Sequence, residues 1–361
     1  MIELFDRLGY DEAWVGEHHS AGWETIGHPE MFLAAAAQRT HRIMLGTGVV
    51  SLPYHHPYNV ASRITHLDHL SRGRAILGTG PGALPSDART FGVDPALIRD
   101  RQDESLAIIL RLLRSDEPFS ASSDWFDMHE GLLQVKPVQE DLEVVCAVSI
   151  SPSGMRLAGK HGIGAISLAS YSEEGLNALP TQWGWAQTYA EEHGTTVDRS
   201  RWRVVVPWHL AKTKEQALDE VAEGVAHWHN EYNVGILGRP GAKPTSNPRK
   251  FAERMSDSGG GLFGTPDDVV EGIAKLQALA GGFGTLVGFV HDWADHEATL
   301  RSYDLFARYV IPEVNGMLAP VRRSADEFRA NKDALMGASS EAIRGAIREH
   351  NRTHPRPEPT N

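Results

Sequence analysis

The sequence predicts an α/β fold, a TIM (β/α)8 barrel. Short apolar stretches of strand length alternate with amphipathic stretches of helical length along most of the 361 residues. Such strict alternation favours parallel strands joined by right-handed crossovers. The strands are apolar at nearly every position, as expected where helices cover both faces of a sheet. Several strands end in glycine and polar residues, and barrel enzymes build their active sites at the carboxyl ends of the strands.

The elements follow from hydrophobic periodicity. Seven strands are predicted, over 11–17, 42–50, 74–79, 143–149, 163–169, 203–211 and 284–291. Helices are predicted over 29–39, 57–71, 98–115, 153–161, 173–193, 214–232, 266–281 and 296–317. Because residues 1–10 resemble the end of a helix, we expect the barrel to lack its first strand at the N-terminus. An open seven-strand sheet is the alternative, and it would leave two long apolar edges.

Two segments interrupt this alternation, residues 233–264 and the C-terminal tail. Residues 233–264 are rich in glycine, proline and basic residues, and a loop of this length predicts a lid over the site. Shorter insertions are predicted at 84–97, as a loop, and at 116–141, as a hairpin. Residues 1–317 are therefore predicted to form the barrel domain. Residues 318–361 are predicted to form a polar helix, with a disordered end from 351.

Composition excludes several classes of protein. A formal net charge of −12 disfavours nucleic-acid binding, which needs a basic face. No apolar stretch has the length of a membrane span, and charged residues near the N-terminus exclude a secretory signal. The single cysteine, Cys146, excludes an internal disulfide, fits a reducing cytoplasm and is expected to be an inert core thiol. The 18 histidines show no spacing diagnostic of metal binding, so no metal site is predicted.

The turn that follows the predicted strand 143–149 is the best candidate ligand site. A helix is expected to begin near Ser153 or Gly154, where Ser151 and Ser153 can cap it. The exposed N–H groups and positive dipole end of such a helix suit a phosphate. Plain helix capping, with no ligand, explains the same residues.

Three other turns also carry candidate residues. His18 ends the first predicted strand, where a histidine is well placed for proton transfer, although a structural role is the alternative. Gly48 permits unusual backbone geometry after the second strand, a cis bond included. Residues 78–83 fit a dinucleotide fingerprint only if a helix begins there, and the next residues do not predict one. A loop whose glycines let the backbone approach a planar ligand is the other interpretation.

Several of these segments together resemble the bacterial luciferase-like monooxygenases. They lie at 9–19, 46–57, 67–74, 151–154 and 264–268. The resemblance covers residues 1–317 and is closest to the branch that contains limonene 1,2-monooxygenase, on the evidence of 78–87 and 282–295. It implies a TIM barrel that binds reduced flavin, FMNH2 or FADH2, at its carboxyl-terminal mouth.

The resemblance also implies roles for particular residues. His18 would lie beside the flavin ring and assist proton handling. A non-proline cis bond would fall near Gly48 and Val49. The flavin phosphate would be held by Ser151, Ser153 and Gly154, in the turn after the strand that ends at Ser149, and Ser149 is also expected to contact the cofactor.

One departure from the family pattern bears on the cofactor site. Gly80 and Pro81 stand where light-emitting members have a reactive cysteine followed by an arginine. Gly80 is thus expected to line the flavin site, while the phosphate loses a basic partner. Aldehyde-dependent light emission is therefore not expected, and basic residues of 239–254 are candidates to replace the arginine.

The resemblance implies a flavin-dependent monooxygenase. Reduced flavin from a separate NAD(P)H-dependent flavin reductase would react with O2, give a hydroperoxide and oxygenate a small hydrophobic, terpene-like substrate. Trp14, Phe289 and Trp293 suggest the apolar substrate pocket. A coenzyme F420-dependent hydride-transfer enzyme and a non-catalytic flavin-binding protein are the alternatives. A cytoplasmic homo-oligomer is also expected.

Overall fold

The computed structural model describes residues 1–239 and 241–354. They fall into two compact units, Met1–Val310 and a second that begins at Ile311. The strands in chain order are β1 Glu12–Val15, β2 Met44–Thr47, β3 Val50–Ser51, β4 Ala75–Gly80, β5 Phe119–Ser122, β6 Asp127–Gly131, β7 Val144–Val148, β8 Gly164–Ser167, β9 Trp202–Val206, β10 Trp208–Leu210, β11 Leu262–Gly264 and β12 Thr285–Gly288.

Helices connect these strands and cover the sheet. They are α1 Ile2–Leu8, α2 Pro29–Ala37, α3 Pro57–Ser71, α4 Pro85–Thr90, α5 Ile98–Arg114, α6 Ser153–His161, α7 Glu173–His193, α8 Lys214–Trp228, α9 Pro248–Asp257, α10 Pro266–Ala280, α11 His296–Leu305, α12 Ile311–Val314 and α13 Ala319–Thr353. Two π-helical segments, His229–Ile236 and Phe306–Val310, extend α8 and α11.

Seven parallel strands form a nearly closed barrel in the order β1-β2-β4-β7-β8-β9-β12. The predicted TIM-type fold with seven strands is therefore confirmed. The predicted strand 203–211 is divided at Pro207, which has no N–H to donate to a ladder. Before the proline, β9 pairs with β8 and β12; after it, β10 pairs with β11.

Two of the segments predicted as loops contain more regular structure than expected. The prediction of a loop over 84–97 is wrong, because α4 lies within it. The long loop predicted over 233–264 is also wrong, since the segment holds the end of a π-helix, α9 and β11. Pro240, within this segment, lies outside the described residues. The hairpin predicted over 116–141 is confirmed by the antiparallel pair β5 and β6.

The start of α9 shows why its helix was missed. Asn247 accepts a hydrogen bond from the Lys250 N–H, and Pro248 occupies the first helical turn. Asparagine as N-cap and proline just after it are both favoured at helix starts. In a segment so rich in glycine and proline, the same residues also resemble a turn.

A buried ion-pair network fills the lower end of the barrel. The Arg203 guanidinium on β9 lies 2.6 Å from Glu12 and 2.8 Å from Glu143, at carboxylate oxygens of both. Burial opposes its charge, but the two hydrogen-bonded carboxylates outweigh burial and raise the pKa of Arg203 above its usual range. Trp14 donates to Glu12 at 2.9 Å and lies under the guanidinium at 5.2 Å. Trp14 therefore lies in the barrel interior, and its role as a substrate-pocket residue stays a prediction.

The second unit consists of α12 and the long helix α13. The predicted helix is present, but it is less polar than expected, with exposed side chains at Val321, Phe328, Leu335, Met336, Ile343 and Ile347. The disordered end was predicted from 351; α13 continues to Thr353, and residues 355–361 lie outside the described part of the chain. In the described residues, no helix is both long and apolar enough to cross a membrane.

Candidate active site at the carboxyl ends of the barrel strands

The predicted site residues share one rim of the barrel. His18 follows β1, Gly48 and Val49 follow β2, Gly80 ends β4 and Ser149 follows β7. Because the barrel strands are parallel, their carboxyl ends lie on the same rim, where barrel enzymes carry their active sites. The structure thus brings together candidates that the sequence separates by more than a hundred positions.

His18 lies between two carboxylates. Its Nδ1 is 3.3 Å from Asp87 Oδ2, and its Nε2 is 3.4 Å from Glu24 Oε2. The imidazole is 15% exposed, Asp87 only 3% and Glu24 44%. Both ring nitrogens therefore face an acidic partner, an arrangement that can hold or move a proton.

Asp87 was missed by the sequence analysis because it lies on α4, where a loop was predicted. Its carboxylate also accepts from the His19 N–H at 3.2 Å and from the Ser20 hydroxyl. These donors fix the carboxylate, so Asp87 orients the His18 ring. No sequence spacing links it to His18, although an acidic residue in the first turn of a helix is a known helix preference.

The neighbouring Glu17 is buried and accepts three hydrogen bonds at this rim. It accepts hydrogen bonds from His55 Nε2 at 2.8 Å, the Ser51 N–H at 2.8 Å and His19 Nε2 at 2.9 Å. Burial alone would raise the pKa of Glu17, but these donors outweigh burial and hold it below its usual value. Glu17 thereby joins the turn after β1 to the segment after β2.

The turn after β2 packs closely on the end of β4. The Gly48–Val49 peptide bond is cis, as the family resemblance implied. A Cβ placed on Gly80 would lie 2.5 Å from Cγ2 of Val49. A side chain at position 80 would therefore require the Val49 side chain to move.

The turn after β7 presents the start of α6 at the rim. The helix begins at Ser153, as predicted, but the capping prediction is wrong. The hydroxyls of Ser151 and Ser153 lie 2.9 Å from each other, and within the described chain no side chain caps this helix. Its first N–H groups therefore remain available to an anion. Gly154 is required here, because a Cβ would overlap the Ala147 carbonyl oxygen.

A buried polar chain fixes the backbone of this turn. Gln182 on α7 donates through Nε2 to the Ser149 carbonyl oxygen at 2.8 Å. Its Oε1 accepts from the Ser167 hydroxyl at 2.6 Å, which in turn accepts from Trp202 Nε1 at 2.9 Å. Because the polar groups of this hydrogen-bond network are paired with one another, Gln182 holds Ser149 in one position.

An aromatic cluster lies over the same end of the barrel. Its members are packed together in one core cluster, with Trp228, Tyr232 and Trp293 buried and Trp23, Tyr171 and Phe289 partly buried. Two of the predicted pocket residues, Phe289 and Trp293, therefore lie in it. The Tyr232 hydroxyl donates to Glu24 at 3.4 Å, so the cluster meets the His18 group.

Two basic residues of 239–254 have different contacts. Arg239 donates to the Tyr171 hydroxyl and lies 5.1 Å from that ring centre. Arg249 on α9 instead pairs with Asp219 of α8 and with Glu253 of its own helix. Of these two, Arg239 is the one beside the aromatic cluster.

The luciferase-like monooxygenase family model matches residues 1–281. The chain belongs to this family. The recognition made from sequence is thus confirmed, and this luciferase-like monooxygenase is an oxidoreductase that incorporates oxygen from O2.

The similarity to known monooxygenases covers nearly the full chain. The 4-hydroxyprotoasukamycin monooxygenase of Streptomyces nodosus subsp. asukaensis is 46% identical, over 92% of each chain. Limonene 1,2-monooxygenase of Rhodococcus erythropolis is 42% identical, over 95% of this chain and 88% of its own. A solved type II Baeyer-Villiger monooxygenase, the oxygenating constituent of 3,6-diketocamphane monooxygenase from Pseudomonas putida in complex with FMN, has a TM-score of 0.73 at 29% identity. That match covers 87% of this chain and 91% of the other.

Proposed function

We propose that this luciferase-like monooxygenase binds reduced FMN at the barrel mouth and uses O2 to oxygenate a small hydrophobic substrate. The observation that carries the proposal is the uncapped start of α6 at the same rim as His18, which suits a flavin phosphate. The related 3,6-diketocamphane enzyme, solved with FMN, supports the choice of flavin.

Particular residues would hold the cofactor. The phosphate would accept from the N–H groups of Ser153 and Gly154 and from the hydroxyls of Ser151 and Ser153. The ring would lie against the turn of Gly48 and Val49 and the end of β4 at Gly80, where the absence of a side chain at Gly80 lets the backbone come close.

The chain's own groups would divide the remaining work. When bound, reduced flavin supplies the activation of O2. His18 would hold or deliver a proton at Nε2, while Asp87 fixes the ring through Nδ1. The aromatic cluster would exclude water and surround the substrate.

The substrate is proposed to be apolar and of terpene size or slightly larger. The partly buried rings of Trp23, Tyr171 and Phe289 would offer it an apolar surface, backed by the buried rings of the cluster, with Glu24 and Arg239 as the nearby polar groups. The limonene and asukamycin relatives, which act on different substrates by name, are consistent with an apolar pocket whose details vary.

A separate NAD(P)H-dependent flavin reductase would supply the reduced cofactor, and a reducing cytoplasm would suit this exchange. Assembly as a homo-oligomer is part of the same proposal. Mixing the chain with such a reductase, NAD(P)H and FMN should start substrate-dependent O2 consumption, which neither protein shows alone.

The experiment that tests the cofactor is an anaerobic titration. Reduced FMN, reduced FAD and reduced F420 are each added, their binding is followed by absorbance, and O2 is then admitted. We expect tightest binding of reduced FMN and product formation only with O2. Hydride transfer from reduced F420 to a substrate, without O2 uptake, would contradict the proposal.

The phosphate assignment is tested by replacing Ser151 and Ser153 together with alanine. The double variant should bind FMN about tenfold more weakly, or about 1.4 kcal/mol, while riboflavin affinity stays unchanged. Equal weakening of FMN and riboflavin would place the phosphate elsewhere.

A further inference from the structure

The two carboxylates beside His18 differ in how free they are to exchange a proton. Asp87 is 3% exposed, and its oxygens accept from the His19 N–H and the Ser20 hydroxyl as well as facing His18. Glu24 is 44% exposed, and one of its oxygens faces His18 Nε2 at 3.4 Å. Solvent therefore reaches Glu24 far more readily than it reaches His18 or Asp87.

Glu24 is nevertheless held at the site and does not move as a free surface side chain. Its second oxygen accepts from the Tyr232 hydroxyl at 3.4 Å. The adjacent Trp23 packs on the Tyr232 ring with centres 5.4 Å apart. A Cβ on Gly16 would lie 3.3 Å from Glu24 Oε2 and 3.1 Å from the Gly48 oxygen, so this carboxylate lies over the ends of β1 and β2.

The titratable groups near Glu24 lie at the end of β1, on a π-helix and along the aromatic cluster. His18 faces it from the end of β1 and Tyr232 from the π-helix His229–Ile236. Tyr171 and Arg239 lie further along the aromatic cluster, and the charge of Glu24 acts on both phenols, helping burial to raise the pKa of Tyr171 and of Tyr232. With its pKa raised, Tyr232 remains a protonated donor at neutral pH, which leaves His18 as the proton-exchanging neighbour of Glu24.

We propose that Glu24 is a positioning residue that relays protons between solvent and His18. In the forward step the Oε2–H bond of the carboxylic acid breaks, its electron pair stays on Glu24, and the lone pair of His18 Nε2 takes the proton. A proton from water or a buffer acid then returns to the Glu24 carboxylate. The relay rests on the proposed function in one respect, which is that His18 uses the proton during turnover.

A purely structural role for Glu24 predicts something different. Glutamine has the same shape and can still accept from Tyr232, so Glu24→Gln retains the packing of the loop but cannot carry a proton. Loss of exchange with retained folding would therefore separate the relay from loop support.

The first measurement uses the protein without flavin. In a sample labelled with 15N-histidine, the His18 ring signals are assigned by their absence in His18→Gln, and exchange of the ring proton with water is timed. We expect Glu24→Gln to slow this exchange about tenfold, the size of a modest general-acid effect. Unchanged exchange would overturn the relay.

The second measurement uses turnover with reduced flavin and substrate. Glu24→Gln should lower kcat about tenfold with little change in KM. In Glu24→Ala, which leaves space for a small acid, added formate or acetate should restore part of the rate. Restoration should increase with the concentration of the buffer acid. A rate that small acids leave unchanged would contradict the relay, whatever its absolute value.

Glu231→Gln is the matched control. This variant removes an exposed carboxylate from the π-helix His229–Ile236, at the residue next to Tyr232. It should leave proton exchange and turnover unchanged. If flavin fails to bind at all, the proposed function fails, whereas the exchange measurement still decides the relay.

Discussion

At the scale of single residues, Gly154 determines whether α6 can begin where it does. A Cβ there would overlap the Ala147 carbonyl oxygen, and this obstacle is backbone that cannot rotate away. Gly154→Ala should therefore displace the turn and weaken FMN binding by about tenfold or more, with a loss of about 1–3 kcal/mol in unfolding free energy. Fluorescence titration and urea unfolding would measure both.

Gly184→Ala is the control for this change. Gly184 lies within α7, and apart from its chain neighbours and the adjacent helix backbone, no described atom is within 4 Å of a Cβ built there. Alanine in an open helical position should stabilise the fold by up to about 1 kcal/mol and leave FMN affinity unchanged. If the Gly154 variant behaved like this control, the close approach at Ala147 would have no functional meaning.

His18 is the residue on which the proposed proton handling depends. His18→Ala should reduce turnover by about a hundredfold, within the range for loss of a general acid or base, while much of the flavin affinity remains. Stopped-flow turnover and a binding titration in the same buffer separate the two quantities. A rate equal to that of the unaltered protein would remove His18 from the mechanism.

At the scale of elements, α7 fixes the turn after β7 through one side chain. Gln182→Leu would leave the Ser149 carbonyl oxygen without its donor and the Ser167 hydroxyl without its acceptor. An unpaired buried group costs about 1–3 kcal/mol, so a lower melting temperature and weaker FMN binding are expected, with riboflavin less affected. Gln187→Leu, at an exposed position of the same helix, should change neither.

The helices near the mouth also show which elements a sequence predicts poorly. The boundaries of α3, α6 and α7 agree with prediction because each has a clear periodic face. In contrast, α4 is only six residues long, and its N-cap residue Leu84 provides no side-chain hydrogen bond to the helix start in the described structure. Its six residues are too few for a periodic pattern, so Asp87 could not be placed beside His18.

At the scale of the whole molecule, the barrel was predictable because the strands are apolar at most positions, as expected where helices cover a parallel sheet. The position of His18, Gly48, Gly80 and Ser149 on one rim could be predicted because the strands are parallel. The partners of His18 could not be predicted, because Glu24 and Asp87 reach it from a loop and a short helix whose positions depend on tertiary packing. The interior position of Trp14 was missed for the same reason, since it is set by its contacts with Glu12 and Arg203.

The stability of the barrel should also depend on pH through His291. Its ring stacks on Trp293 with centres 3.9 Å apart, and Nε2 donates to the Trp208 carbonyl oxygen at 3.2 Å. Burial, with a smaller effect of His209, lowers the pKa of His291 to about 3. In the unfolded chain the group titrates near its ordinary value of about 6.5.

The sign of the effect follows from proton binding. Between these two values the unfolded chain binds a proton that the folded chain does not, so stability falls as pH falls. Above about pH 6.5 the contribution is fully present, and at pH 4 about 3 kcal/mol of it is lost. Urea unfolding at pH 7, 6, 5 and 4 should show this slope, to which acid-sensitive groups such as Glu17 add at the lowest pH.

His291→Gln isolates the contribution of the histidine, because glutamine can still donate to the Trp208 carbonyl oxygen but does not titrate. The variant should be less stable at pH 7, since it loses the stacking on Trp293, yet it should lose less stability between pH 7 and pH 4. His193→Gln, at the exposed end of α7, should leave the slope as it was. Equal slopes for the unaltered protein and His291→Gln would show that protonation of His291 does not limit the acid stability of the barrel.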